Sequence, residues 1–174
     1  MRRLSRLLLA AGAAVIAIPA AAGTAPTSED PVLMHGIGSL RIGLKADALE
    51  RRFTARPADR DFETENDCGY WTSPRLPGLS LMVVDGRLAR IDVNDPAWRT
   101  RSGARVGMDQ QQMLDLYRGL MRTEPHPYTD PEGKYLVYRA RHEPFGLIAE
   151  TSDGKVRSIR VGYWKNVQWI EGCL

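Results

Sequence analysis

Two stretches of this chain carry one pattern of apolar and polar positions. Residues 41–53 read RIGLKADALERRF, and residues 105–117 read RVGMDQQQMLDLY. Arg41, Ile42 and Gly43 correspond to Arg105, Val106 and Gly107, and Leu44, Leu49 and Phe53 to Met108, Met113 and Tyr117. Each copy passes from a short extended lead-in, through a glycine that can turn or pack closely, into apolar positions at helical spacing. The spacing predicts helices over 45–54 and 109–120. Ala46, Leu49 and Phe53 form the apolar stripe of the first, with Arg51 and Arg52 pointing away. Met113, Leu116, Tyr117 and Leu120 form the stripe of the second. Asp109 and Gln112 are spaced as a capping box, whereas Lys45 is a poor cap, so the first helix is expected to be the weaker.

The correspondence resumes downstream with alternating apolar positions. VVDGRLARIDV (83–93) faces ETSDGKVRSIRV (150–161). Asp-Gly between two alternating runs is a strong hairpin signal, because a tight I′ turn needs positive φ at both central residues. Leu79, Leu81 and Val83 lead into the first hairpin, and Phe145, Leu147 and Ala149 into the second. One more strand is predicted before each pair, at about 68–72 and 134–140.

A single helix on three or four strands buries little surface. Two copies together share a core or extend one sheet. The predicted fold class is therefore α+β, with two tandem repeats that each pack a helix on an antiparallel sheet of three to four strands. The expected division is a signal peptide at 1–22, a flexible leader at 23–35, a first repeat at 36–95 and a second at 96–174.

The leader assignment rests on composition. MRRLSR is basic, LLLAAGAAVIAIPA is apolar, and Ala20, Ala21 and Ala22 offer a small-residue cleavage site. The competing reading is a membrane anchor, but the run is short for a crossing of about 20 residues. The whole chain has 24 Lys and Arg against 21 Asp and Glu. Arg2, Arg3 and Arg6 account for the net +3, so the remainder is neutral. Charges of both signs are interspersed, which argues against a nucleic-acid surface. A protein partner or other envelope component is expected, with a glycan as the alternative, and a periplasmic or secreted location. Cys68 and Cys173 are the two cysteines. In an oxidising compartment they are expected to form a disulfide, with two free thiols as the alternative.

The β-branched residue, Gly, Leu or Met, helix start and later hairpin resemble one repeat of the β-lactamase-inhibitor-protein-like fold, shared by small outer-membrane assembly lipoproteins of the SmpA/OmlA type. The resemblance implies helices on one face of an antiparallel sheet. It also implies that an exposed sheet face and loops grip a partner, in the most concrete version a secreted or periplasmic enzyme that is thereby inhibited. The lipidated cysteine of those lipoproteins has no counterpart here. GARVGM, PHPY, GKYLVY and the late EGC are also similar to a group of uncharacterised exported proteobacterial proteins.

No residue pattern points to catalysis, and no cofactor is expected. His35, His126 and His142 lack a paired-ligand spacing, and the chain has no nucleophile elbow, P-loop or dinucleotide fingerprint. A small periplasmic hydrolase is the third reading, after a binding protein and a carbohydrate-binding module. DRDFETEND places Asp59, Asp61, Glu63, Glu65 and Asp67 at alternate positions. In an extended chain they share a face that suits calcium, or equally form a solvated loop or a charged edge. Aromatic candidates for binding are Tyr128 and Tyr135, with His126 between prolines in EPHPYTDPEGKY, and Trp98. Their competing reading is ordinary packing with polar ends at the core's edge.

Overall fold

The computed structural model describes residues 24–58, 67–129 and 131–173. The expected signal peptide and four of the five acidic positions, Asp59, Asp61, Glu63 and Glu65, lie outside these residues. Three short strands come first: β1 (Val32–Leu33), β2 (Gly36–Ile37) and β3 (Leu40–Arg41). They form a small antiparallel sheet. Then follow α1 (Ala46–Phe53), β4 (Arg56–Pro57), β5 (Cys68–Thr72), β6 (Leu79–Val84) and β7 (Arg87–Val93). The second half runs α2 (Gln110–Leu116), β8 (Arg122–Pro125), β9 (Gly133–Arg139), β10 (Phe145–Ser152), β11 (Lys155–Tyr163) and α3 (Trp164–Val167).

Strands β4 to β11 make one antiparallel sheet in the order β4-β5-β6-β7-β11-β10-β9-β8. Each half contributes four neighbouring strands, and the last strand of each half meets the other at the centre. There Val93 pairs with Ile159, Asp92 with Arg160, Ile91 with Val161 and Arg90 with Gly162.

The two halves share backbone detail. The hairpins turn at Asp85-Gly86 (φ 50° and 66°) and Asp153-Gly154 (φ 51° and 69°), the positive values that an I′ turn demands. Each carries a register shift two residues before its turn, after Met82 and after Glu150. The N–H of Gly43 donates to the carbonyl of Leu88 at 2.7 Å, and that of Gly107 to Val156 at 2.8 Å. Leu88 N–H returns to Leu44 O at 2.8 Å and Val156 N–H to Met108 O at 2.9 Å.

Alternation along the strands gives the sheet two faces. One is apolar: Leu79, Leu81, Ile91 and Val93 from the first half cluster with Leu147, Ala149, Ile159 and Val161 from the second. Leu49 and Phe53 of α1 and Met113 of α2 join this cluster, all three fully buried. Each such side chain contributes about 1.5–3 kcal/mol by leaving water. The end of α1 is fastened by side chains from the loop after β5. The Ser73 hydroxyl donates to the Phe53 carbonyl, and Arg75 Nη1 donates to Arg52 O at 2.8 Å.

Several expectations are corrected. Helix α2 stops at Leu116, so Leu116 and Leu120, 44% and 58% exposed, leave the predicted stripe. Leu114 packs on the core instead. Asp109 occupies the N-cap position, but its side chain caps nothing; it pairs with Lys155 at 2.8 Å. Without a capping box α2 is no longer than α1. The stretch expected to be a flexible leader is anchored at its far end. Val32 is 3% exposed and its N–H donates to Arg99 O at 2.8 Å.

The disulfide is present. Cys68 and Cys173 are bonded with Cα atoms 5.3 Å apart across a sequence separation of 105. It ties the C-terminal segment to β5 and lays that segment over the sheet's second face.

Candidate functional site

The second face carries polar side chains because the alternation that sends Ile91 and Val93 into the core sends Arg90 and Asp92 the other way. Ser158 and Arg160 on β11 follow the same logic beside Ile159 and Val161. These residues, with Tyr70, Ser80, Asn94, Glu150 and Ile170, line an open cleft of about 340 Å³. It spans the central seam and is bordered by the C-terminal segment.

Arg90 is 2% exposed and is held on several sides, although its Nε meets Asp92 Oδ1 as an ion pair outside hydrogen-bond geometry. Its Nε lies 2.7 Å from Asp92 Oδ1, and its Nη2 donates to Asp92 Oδ2 at 2.9 Å, a two-pronged pair. Its Nη1 donates to the carbonyls of Asn166 at 3.0 Å and Trp169 at 2.8 Å. Its Nη2 also donates to the Tyr70 hydroxyl oxygen. The guanidinium therefore holds the C-terminal segment against the sheet by backbone carbonyls. Burial, and then the adjacent Asp92 carboxylate, push the Tyr70 phenol up to about 12, against the lowering influence of Arg90.

Arg160 is 5% exposed and is held differently. Its Nη1 donates to Trp169 O at 3.1 Å, and its guanidinium carbon lies 5.0 Å from the Tyr135 ring centroid. Its Nε makes no hydrogen bond among the described residues. Both polar side-chain atoms of the fully buried Asn166 likewise have no hydrogen bond among the described residues.

A third group adjoins the cleft at Glu150. His126 Nδ1 accepts from the Tyr128 N–H at 3.2 Å, which leaves Nε2 to donate to Glu150 Oε1, also at 3.2 Å. The His126 and Tyr135 rings stand 4.7 Å apart, and those of His126 and Tyr128 6.1 Å apart. Ser158 lies opposite Glu150 on the neighbouring strand. His126 has one nitrogen on Glu150 and the other on the Tyr128 N–H, so neither faces the Ser158 hydroxyl and the three side chains are not arranged as a nucleophile and base relay.

Of the aromatic candidates, the structure brings His126, Tyr128 and Tyr135 together and excludes Trp98. Trp98 is 3% exposed, packs in the core of the apolar face, and donates its indole N–H to Pro77 O at 2.8 Å. Tyr135 and His126 are each 6% exposed, whereas Tyr128 is 67% exposed. Burial raises the Tyr135 phenol. The Tyr128 hydroxyl donates to Glu171, which raises the phenol. Asp67, the described member of the acidic run, is exposed next to Cys68. Among the described residues no group of three or more His, Cys, Asp or Glu is placed to hold a metal ion. No described helix is long and apolar enough to cross a membrane.

The cleft's charged residues, Arg90, Asp92, Arg160 and Glu150, are not singled out by sequence, whereas Tyr70 is an aromatic candidate for an exposed sheet face. Their signal is the polar half of the alternation in ARIDV and RSIRV. That alternation ordinarily marks a solvated face, and what buries it here is the tethered chain end.

Comparison with known proteins finds no matching family model and no matching curated protein. Solved structures that are similar at a distance include the following two. The uncharacterised protein YfeY from Escherichia coli is 15% identical with a TM-score of 0.44, over 76% of this chain and 97% of that one. A cysteine-rich secretory protein from Staphylococcus aureus is 10% identical with a TM-score of 0.47, over 86% of this chain and 53% of that one. No role is carried from either.

Proposed function

We propose that this chain is an exported, non-catalytic binding protein of the cell envelope, and that the polar cleft over the central seam is its binding surface. We further infer that it is built from two tandem copies of one helix-and-sheet unit, as in the inhibitor-like fold it resembles. The matched hairpin turns, register shifts and lead-in hydrogen bonds support the duplication. The single observation that carries the binding reading is the cleft itself. It is an open depression on a sheet face, with buried charged side chains in its floor and a disulfide-tethered segment as one wall. Such concavity with a few convergent polar groups is the usual form of a recognition site. The disulfide accords with export to an oxidising compartment.

Capture of a stoichiometric partner from an envelope extract by the oxidised protein tests this reading. A variant with Ser80→Tyr and Ser158→Tyr, which fills the cleft, is expected to lose that partner. Retention of every captured protein by the filled variant would refute the cleft as the surface. A second reading, a carbohydrate-binding module, is favoured by Tyr128, exposed beside Glu171 near the cleft wall at Ile170. Glycan-array binding that disappears in Tyr128→Ala would select it.

A further inference from the structure

Within the cleft the two arginines are unequal. Asp92 gives both carboxylate oxygens to Arg90. Glu150 turns Oε1 to His126. Arg160 is 95% buried, its side chain is within 4.0 Å of no carboxylate among the described residues, and its Nε has no hydrogen bond. A buried cation without a counterion is costly, and a protein that keeps one has a reason to expect an anion there. The guanidinium offers a planar fork suited to a two-oxygen acceptor. Ser158, two residues earlier on the same face of β11, has a hydroxyl without a hydrogen bond among the described residues and also lines the cleft.

We propose that the cleft binds its ligand through a carboxylate group seated on Arg160, with the Ser158 hydroxyl as a second donor. This rests on the cleft being the binding surface. The charge should be single. Arg160 is one cation without a carboxylate, so a monoanion balances it, whereas a phosphate dianion leaves an excess charge beside Glu150. The carboxylate has two sources, a small free acid or the terminus of a peptide, and both present the same chemistry to the fork.

Calorimetric titration at constant ionic strength decides the matter. The arms are acetate and glutamate, a short peptide with a free C-terminus, the same peptide amidated, and inorganic phosphate. Saturable binding of a small acid, or of the free but not the amidated peptide, supports the proposal and names the source. Affinity is expected to fall by about 10-fold or more in Arg160→Met, the loss of one charge-assisted pair. If Arg160→Met does not fold, Ser158→Val carries the same test, with a smaller loss. Unchanged affinity in the folded variant, phosphate binding more tightly than every carboxylate, or no binding in any arm would overturn it. If envelope capture still depends on the open cleft while no carboxylate competes, this inference fails and the cleft remains the binding surface.

Discussion

Arg160 lies directly opposite Asp92 across the central strand pair, yet Asp92 spends its charge on Arg90, two residues along its own strand. The cross-strand neighbours are thus an anion already neutralised and a cation still waiting. That inequality sets the behaviour expected of the two arginines.

Arg90→Met should destabilise the protein by about 3–5 kcal/mol, because it leaves Asp92 as an uncompensated, largely buried charge. It also frees the carbonyls of Asn166 and Trp169. Arg160→Met breaks no carboxylate pair and should leave stability unchanged or raise it. Denaturant unfolding of the two variants side by side checks the contrast, and equal losses would contradict it.

Reducing the Cys68–Cys173 bond should lower stability by up to about 4.7 kcal/mol, the chain-entropy figure for a loop of about 100 residues. The loss should be accompanied by faster amide exchange at 164–173 than in β10 and β11. Exchange mapped by mass spectrometry, with and without reductant, measures both.

Tyr70 predicts an alkaline limit. Burial and Asp92 keep the folded-state phenol neutral up to about 12, above its ordinary value of 10.0. The unfolded chain therefore gives up this proton first. Tyr70 contributes fully to stability below pH 10.0, and the contribution is lost as pH climbs toward about 12. Phenolate absorbance should show late-titrating tyrosines, Tyr128 and Tyr135 among them, and one fewer in Tyr70→Phe. That variant should also lose part of the alkaline decline in melting temperature.

Met113→Ala should cost about 2–5 kcal/mol, since Met113 is fully buried in the main core. Leu116→Ala, at a 44% exposed position, should change stability by less than about 0.5 kcal/mol. Comparable losses at both positions would restore the longer stripe that helical spacing predicts.

Gly162→Ala should destabilise by about 1–3 kcal/mol through overpacking, with positive-φ strain added. Gly162 has φ +152°, and a Cβ there would meet the Ala89 carbonyl oxygen at 2.3 Å. Thermal unfolding of this variant probes how closely the two halves must approach.

Local signals carried most of the fold. Asp85-Gly86 and Asp153-Gly154 specify their turns chemically, and the apolar members of β6, β7, β10 and β11 alternate on either side of one register shift per hairpin, so both hairpins could be placed from residues alone. Where the outcome depended on distant partners, the reading went astray. Asp109 is spaced to cap α2, but Lys155 on another strand takes its carboxylate. Leu116 and Leu120 continue a helical period that the backbone abandons at Leu116. Val32, in a stretch with the composition of a leader, is drawn in by Arg99 and the core. The cleft was the least legible part, because Arg90 and Arg160 look like solvent-facing charges until a segment tied down near position 173 covers them. His126 and Tyr135 could be paired by the loop between them, while Trp98 gave no local sign that it points inward.

The strand order has a consequence for assembly of the molecule. Every neighbouring pair in the large sheet except β7 with β11 is also adjacent in sequence. Within the large sheet each half pairs its own strands locally, and the two ribbons meet along four residue pairs between β7 and β11. Because that seam is also the floor of the cleft, the cleft cannot take shape until the two ribbons have met.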